Sequence, residues 1–358
     1  MFEARLTSSR SASKIKFCCE KNDLKSMKAI ALSQPGGPEN LQIQDLPQPE
    51  ITAGQVLVKL KAAGINPIDT KLRSRGTFYP EATPQVLGCD GAGIIEAIGS
   101  EVTGWQPGQA VYFCYGGLGG PAGNYAEWAA VDARCLAPKP DRLSFVEAAA
   151  APLVLITAWE ALRDRARITA GQKVLIHAGA GGVGHVAIQL AKRWGAEVAA
   201  TVSTPEKADF VAGLGCDRPI LYGQEDFVSA VQGWTGGQGV DIAFDTVGGD
   251  LLTATLPAVK PYGDVVTILE PTANTNWKVA RNNNLRIGLE LMLTPLLKHW
   301  DAGLRHQAEI LRQCAAWIDA GQLKIQLHQT FPLDRAAEAH QLLERGGLIG
   351  KLALAIDP

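Results

Sequence analysis

Short strands with one apolar face dominate the first part of the chain. Residues 55–62 (QVLVKLKA) alternate between polar and apolar positions and then become apolar, as in a strand with one buried face. Similar runs at 91–99, 109–113 and 125–131 are separated by glycine and proline turns. The pattern from residue 27 to about residue 143 therefore predicts an all-β region.

The hydrophobic pattern changes at Ser144. Ser144 and Glu147 have the spacing of a capping box, which marks the start of a helix. Strands and helices then alternate, which predicts a parallel sheet with helices on both faces. The predicted strands are 173–178, 197–202, 240–247 and 265–269, and the predicted helices are 183–194, 205–214 and 251–259. Two amphipathic helices near 303–320 and 334–345 and a strand at 351–356 end the chain.

A glycine-rich turn joins the first of these later strands to its helix. Residues 179–184 (GAGGVG) match G-x-G-x-x-G, in the strand–turn–helix context that dinucleotide binding requires. The first glycine makes the tight turn, the second lets the backbone approach a pyrophosphate, and the third lets the helix pack on the strand. The helix N-terminus then offers free amides to phosphates. The predicted cofactor-binding residues here are Gly179, Ala180, Gly181, Gly182, Val183 and Gly184.

The end of the second strand indicates which nicotinamide cofactor is bound. An acid that binds the ribose is expected there, but the residues are Thr201-Val202-Ser203-Thr204 and Lys207 follows one helical turn later. A hydroxyl and an ammonium suit a 2′-phosphate, so this end predicts NADPH. The alternative is that Lys207 is an ordinary solvated lysine.

Composition excludes several other classes of protein. The 34 Lys and Arg residues nearly balance the 36 Asp and Glu residues, so the net charge of -2 predicts neither a nucleic-acid nor a membrane partner. Seven cysteines without a C-x-x-C pair argue against a disulfide framework and predict a cytoplasmic protein. Residues 1–26 carry six basic and three acidic residues, which fits either an unstructured extension or a transit peptide.

Four motifs together resemble the medium-chain dehydrogenase/reductase superfamily, and within it the zinc-independent quinone oxidoreductases of the zeta-crystallin type. They are NPID at 66–69, LGCDGAG at 87–93, HAGAGGVG at 177–184 and FDTVG at 244–248. The resemblance implies an α/β fold with a GroES-like β-rich catalytic domain and a Rossmann domain with a doubly wound parallel sheet. The implied division is an extension at 1–26, a catalytic domain at 27–150, a Rossmann domain at 151–300, and a segment at 301–358 that returns to the catalytic domain.

The resemblance also implies an active site in the cleft between these domains. Asn66 matches the active-site position of the family, and Tyr79 is a candidate proton donor whose alternative role is loop packing. Asp69 is interpreted as a structural partner of its own loop. Positions that match cofactor contacts of the family are Thr157, Ser203, Lys207, Tyr222, Thr246, Ile268, Leu269 and Lys351.

The same comparison predicts that no metal is bound. Zinc-dependent relatives use a cysteine near the place of Asn66 and a histidine near the place of Cys89. Cys89 and Asp90 are adjacent, but a catalytic zinc site needs about three protein ligands. The alternative for Cys89 is a small buried thiol.

These inferences predict an NADPH-dependent reductase that transfers hydride to a small quinone or α,β-unsaturated carbonyl compound. An enoyl-thioester reductase, a zinc-type alcohol dehydrogenase and a non-catalytic NADPH-binding protein remain alternatives. Residues 285–293 (LRIGLELML) are apolar and follow the Rossmann strands. With the family resemblance, they predict a homodimer that pairs through a sheet edge.

Overall fold

The strands predicted in the first part of the chain form two antiparallel layers in the computed structural model, which describes residues 25–78 and 85–356. In the first layer, β1 pairs with β2 and with the short β4. In the second, β3 lies between β5 and β16, and β6 and β8 follow β5. The first eight strands are β1 (Ser26–Leu32), β2 (Leu41–Pro47), β3 (Gln55–Ile65), β4 (Gln85–Val86), β5 (Asp90–Ile98), β6 (Ala110–Cys114), β7 (Trp128–Asp132) and β8 (Leu136–Pro138).

The prediction of an all-β region was wrong at one place, because helix α1 (Pro67–Arg75) follows β3 directly. Asn66 has an extended backbone, and its N–H donates to Asp69 Oδ2 at 2.8 Å instead of continuing the strand ladder. Pro67 has no N–H to donate and its φ suits the first position of a helix. The junction therefore ends the strand and starts the helix within two residues, at the motif that carries the family resemblance.

The helix predicted at Ser144 is present, and its capping box is confirmed. The Ser144 N–H donates to Glu147 Oε2 at 2.8 Å, and the Glu147 N–H donates to Ser144 Oγ at 3.4 Å. Helix α2 (Phe145–Ala149) and helix α3 (Pro152–Trp159) lead into a π-helical turn at Glu160–Arg165.

The parallel sheet with helices on both faces is also confirmed. Its six strands lie in the order β11-β10-β9-β12-β13-β14, and every described pair is parallel. Val174 and Ile176 pack into one hydrophobic cluster, while Leu175 between them packs into another, so both faces are buried. The strands are β9 (Lys173–Ile176), β10 (Glu197–Val202), β11 (Arg218–Leu221), β12 (Val240–Asp245), β13 (Val259–Thr267) and β14 (Arg286–Leu289).

Several elements of this sheet region were not predicted. They are strand β11, the helix after it, α6 (Phe227–Trp234), strand β14 and the two short helices Lys278–Asn282 and Thr294–Leu297. The helices between the strands and beyond are α4 (Gly182–Arg193), α5 (Pro205–Gly213), α6, α7 (Asp250–Thr255), α8 (Lys278–Asn282) and α9 (Thr294–Leu297).

The last part of the chain returns to the first layers. Helix α10 (Asp301–Asp319) packs against α3, and β15 (Leu327–Pro332), α11 (Ala336–Arg345) and β16 (Lys351–Ala355) follow it. Strand β16 pairs antiparallel with the end of β3, so that Leu352 lies opposite Ile65. Lys351 is thereby brought beside the β3–α1 junction. Across residues 25–78 and 85–356, none of the helices has both the length and the apolar character needed to cross a membrane.

Candidate active site

A cleft of about 280 Å³ lies between the β3–α1 junction on one wall and the glycine-rich turn on the other. The carboxyl ends of β12 and β13 and the segment after β14 close its far side. Parallel sheets bind ligands at the carboxyl ends of their strands, so the position of the cleft is the expected one. Of the predicted site residues, those that line it are Asn66, Thr157, Gly181, Gly182, Val183, Gly184, Thr246, Ile268, Leu269 and Lys351.

The glycine-rich turn places the N-terminus of α4 at the cleft. A Cβ on Gly184 would lie 2.3 Å from the carbonyl oxygen of Ala178, so the third glycine is required for helix–strand packing. A Cβ on Gly179 would lie 2.7 Å from Cβ of Ala200, which places this residue against the core. The N-cap, Gly181, has no side chain that could accept from the first amides of α4. Those amides therefore fit an anionic group such as a pyrophosphate.

Residues predicted to distinguish NADPH from NADH lie together at the ends of β10 and β11. Val202 and Leu221 are register partners in the parallel pair, so Ser203 and Tyr222 leave the sheet side by side. Lys207 Nζ donates to Ser203 Oγ at 3.1 Å, and the Tyr222 side chain is exposed. A hydroxyl, an ammonium and a phenol are therefore available at one corner of the sheet.

Two threonines lining the cleft have their hydroxyl hydrogens already committed. Thr157 Oγ1 donates to the carbonyl of Leu153 at 2.7 Å, and Thr246 Oγ1 donates to the carbonyl of His177 at 2.8 Å. A hydroxyl has one hydrogen to donate and two lone pairs. Toward a ligand both oxygens therefore act as acceptors, which suits an amide NH₂ group.

A buried polar network forms the wall opposite the glycine-rich turn. Lys351 Nζ donates to Asn66 Oδ1 and, at 2.7 Å, to the carbonyl of Ile65. Asn66 Nδ2 donates to Asp90 Oδ2 at 2.8 Å, and the Leu153 N–H donates to Asp90 Oδ1 at 2.9 Å. Because an ammonium only donates and a carboxylate only accepts, these partners fix the orientation of the Asn66 amide.

Burial controls the ionisation of this network. Burial raises the pKa of Asp90 to about 6. The charge of Lys351 and the hydrogen bonds that Asp90 accepts from Asn66 and Leu153 oppose this shift. Burial also raises the pKa of Asp69 to about 7, although the Asn66 N–H opposes the shift. The pKa of Lys351 is lowered by burial, while Asp90 and Asp69 oppose that shift. The network is thus a buried cation that shares one region with two carboxyl groups.

Cys89 and Asp69 are structural neighbours within this network. Cys89 is fully buried, and its Sγ lies 3.8 Å from Asp69 Oδ1. Burial raises the pKa of its thiol well above the ordinary value, whereas metal ligation requires the thiolate. Tyr125 OH also donates to Asp69 Oδ2 at 3.2 Å. Among the described residues, no group of three or more His, Cys, Asp and Glu side chains is arranged to hold a metal ion.

Sequence reasoning missed a second buried cluster behind the cleft. Glu290 lines the cleft with an almost fully buried side chain, and Arg165 Nε donates to it at 2.8 Å. Gln307 Nε2 donates to Glu160 Oε1 at 3.0 Å and to the carbonyl of Met292 at 2.6 Å. Burial, and then the charge of Glu290, raises the pKa of Glu160 to about 8. Burial and the neighbouring charge of Glu290 therefore both favour the neutral form of Glu160.

The predicted site residues thus divide into three groups. Most line the cleft, while Ser203, Lys207 and Tyr222 form the corner at the ends of β10 and β11, Gly179 packs against Ala200, and the Ala180 carbonyl accepts from the Gly350 N–H at 2.8 Å. Tyr79 lies outside the described residues. Asp90 and Glu290 were not predicted as site residues, and the only signal for Asp90 was a charged residue among small apolar ones at 87–93.

Comparisons with known proteins agree with this architecture. Residues 52–141 match the alcohol dehydrogenase GroES-like domain, and residues 214–354 match the family described as zinc-binding dehydrogenase. A 2-haloacrylate reductase from Burkholderia sp is 32% identical over 91% of this chain and 98% of its own. A quinone oxidoreductase from Pseudomonas aeruginosa is 33% identical over 91% of this chain and 99% of its own. The structure of Escherichia coli quinone oxidoreductase complexed with NADPH has a TM-score of 0.81 and 30% identity, covering 92% of this chain and 100% of that chain.

The buried Glu160 carboxyl makes a prediction about stability and pH. Its pKa is raised from the ordinary value of 4.5 to about 8. The stability that the carboxyl contributes to the fold is therefore complete below about pH 4.5 and is lost as the pH rises to about 8. Over that interval we expect the free energy of unfolding of the wild type to fall relative to that of Glu160→Gln. The relative slope is at most about 1.4 kcal/mol per pH unit, measurable by denaturant titration at several pH values.

The matched control is Glu309→Gln, because the Glu309 side chain is 68% exposed and pairs only at the surface with Arg312. This control should follow the wild-type pH dependence. Parallel curves for the wild type and Glu160→Gln would show that Glu160 is ionised throughout this range.

Proposed function

The chain belongs to the medium-chain dehydrogenase/reductase superfamily and is an NAD(P)H-dependent oxidoreductase related to its quinone oxidoreductases; from this premise we propose that it uses NADPH, without zinc, to reduce a quinone or an α,β-unsaturated carbonyl compound. The observation that carries the proposal is the hydrogen-bonded pair of Lys351 and Asn66 in the cleft, opposite the glycine-rich turn, with the fully buried Asp90 accepting from Asn66.

This group provides donors where charge develops during reduction. When bound, NADPH supplies a hydride, and negative charge then appears on the carbonyl oxygen of the acceptor. Asn66 Nδ2 has two hydrogens and gives one to Asp90, while Lys351 has three and gives two to Asn66 and Ile65. One amide hydrogen and one ammonium hydrogen thus remain to stabilise the oxyanion.

Protonation completes the reduction. Reduction of an enone adds a hydride to one carbon of the double bond and a proton to the other, and a quinone takes its proton on oxygen. Tyr79 is our candidate proton donor for an enone. The hydrogens of a quinol exchange with water, so Tyr79 is less important for a quinone.

The preference for NADPH is supported by the corner formed by Ser203, Lys207 and Tyr222. Among the residues that the structure describes, the ammonium of Lys207 is held only by a neutral hydroxyl. Thr157 and Thr246 offer acceptors to the nicotinamide amide at the other end of the cofactor. Between these two ends, the amides of α4 fit the pyrophosphate.

Independence from zinc is supported by the chemistry of the two positions where zinc-dependent relatives place ligands. Asn66 offers an amide that is already bound to Lys351 and Asp90. Burial raises the pKa of the Cys89 thiol, which disfavours the thiolate that a metal would need. The five described cysteines are unpaired, which supports the cytoplasm as the place of action.

The test of this function uses protein from which metal has been removed. After prolonged dialysis against a chelator, the protein should still oxidise NADPH in the presence of an ortho-quinone or a small enone. Enoyl thioesters serve as competing acceptors in the same screen. Asn66→Ala should lower kcat by about tenfold to a hundredfold and change KM less, because its hydrogen bond strengthens in the transition state.

Because Asn66 also begins α1, the variant must retain the thermal midpoint and the NADPH affinity of the wild type for this result to count. Stoichiometric zinc together with loss of activity on chelation would refute zinc independence. If the folded Asn66→Ala variant has the kcat of the wild type, Asn66 does not take part in the reaction.

The corner at Ser203 makes a prediction about cofactor choice. Lys207→Glu should raise the KM for NADPH by about tenfold to more than a hundredfold, because a charge-assisted phosphate contact is lost and a like charge is introduced. The KM for NADH should change much less. Lys278→Glu, at an exposed lysine elsewhere in the Rossmann part, is the control. Equal changes in the KM values for NADPH and NADH would show that Lys207 is an ordinary surface lysine without a role in cofactor choice.

The edge of the parallel sheet supports a homodimer. Strand β14 is one of the two edge strands, and Leu289 at its end and Leu291 just after it are exposed at 60% and 50%. An open apolar edge invites pairing with a second strand. We expect sedimentation velocity at micromolar concentration to show a dimer, and Leu289→Lys to shift it toward monomer. Monomer alone in the wild type would rule out this pairing.

A further inference from the structure

The charged side chains that line the cleft differ in whether their charge is compensated. They are Lys71, Glu290 and Lys351. Glu290 is paired with Arg165, and Lys351 lies among Asn66, Asp90 and Asp69. The Lys71 side chain is exposed and has no hydrogen-bond or ion-pair partner among the described residues. Within residues 25–78 and 85–356, the cleft therefore presents one positive charge that no neighbouring group compensates.

Helix geometry places this charge on the wall that holds Asn66. Lys71 follows Pro67 by four residues and Ile68 by three along α1, so the three side chains share one face of the helix. All three line the cleft. The hydrogen bond between Asn66 N–H and Asp69 fixes the first turn of α1, and with it the direction of this face.

The surroundings of Lys71 strengthen its effect on a ligand. Neighbouring parts of the cleft wall are apolar, including Ile68, Leu153 and Leu293. A charge beside a low-dielectric wall attracts an opposite charge more strongly than one surrounded by water. The sites that fit the phosphates of the cofactor, the α4 amides and Lys207, belong to the Rossmann part. Lys71 therefore faces the space left for the acceptor.

We propose that Lys71 determines acceptor specificity by binding an anionic group, so that this enzyme prefers α,β-unsaturated compounds that carry a carboxylate. The proposal rests on the proposed function and adds a substrate class to it. The carboxylate is held by the Lys71 ammonium at the rim, while the electron-poor double bond lies deeper, toward Asn66 and Lys351. The carboxylate is chemically unchanged, and the reaction still adds one hydride and one proton across the double bond.

The experiment compares two acceptors that differ only in charge. Benzylideneacetone and its para-carboxylate have the same reacting enone, so the ratio of their kcat/KM values reports recognition of the carboxylate. The wild type should prefer the carboxylate. Lys71→Met should lower the ratio by about tenfold or more, as expected for loss of a charge-assisted contact, and Lys71→Glu should lower it further. Lys71→Arg should restore most of the preference.

Lys28→Met is the matched control, because Lys28 is an exposed lysine of β1 that does not line the cleft. Its ratio should equal that of the wild type. An unchanged ratio in the folded Lys71→Met variant overturns the proposal. So does a rise in the KM for NADPH that is the same with both acceptors, because Lys71 would then serve the cofactor.

The two levels of inference can be separated in the wild type. Turnover of neutral benzylideneacetone without any preference for the carboxylate upholds the proposed function and overturns the role of Lys71. Absence of turnover with both acceptors and with quinones overturns the proposed function and this proposal with it.

Discussion

The buried ammonium of Lys351 holds together parts of the chain that are far apart in sequence. Its hydrogen bonds to Asn66 and Ile65 connect β16 to the β3–α1 junction, and its stem packs where a Cβ of Gly182 would lie, 2.9 Å from Cδ. A buried charge is costly unless it is paired and hydrogen-bonded. The two walls of the cleft therefore meet at one side chain, and a change there affects both.

Compensation of that charge explains the buried acids around it. Asp90 accepts from Asn66 and from the amide of Leu153 in α3, and so connects β5 to α3. Asp69 accepts from the Asn66 N–H and from Tyr125 OH, which lies 3.1 Å from His340 Nε2 in α11. The pKa values of Asp90 and Asp69 are raised by burial to about 6 and about 7. Burial therefore favours the neutral form of both carboxyls, while the charge of Lys351 opposes it.

The cleft that results has different chemistry at its different walls. The glycine-rich turn offers uncapped amides, the threonines offer acceptors, and Asn66 and Lys351 offer donors. A second buried cluster, Glu160 with Glu290, supports the segment after β14, and Gln307 ties it to the backbone of Met292. In the proposed reaction, the acceptor lies between the cofactor and this fixed set of hydrogen-bond donors. Preorganised donors of this kind stabilise developing charge without reorganisation during the reaction.

The sequence by itself determined the features that depend on neighbouring residues. The capping box at Ser144, the alternation of β3 and the glycine-rich turn are local patterns, and each forms the predicted element. Helix α1 was missed because it is short and its apolar pattern is weak, and β11 was missed because it is four residues long and contains Pro219. Helix α6, by contrast, is amphipathic, so its hydrophobic pattern was a local signal that could have predicted it. Tertiary structure alone decided the partners of Lys351, because Asn66 and Asp90 lie more than two hundred residues away in sequence. The same is true of Glu160 and Glu290: only folding brings these two acids of distant segments together, and burial there raises the pKa of Glu160.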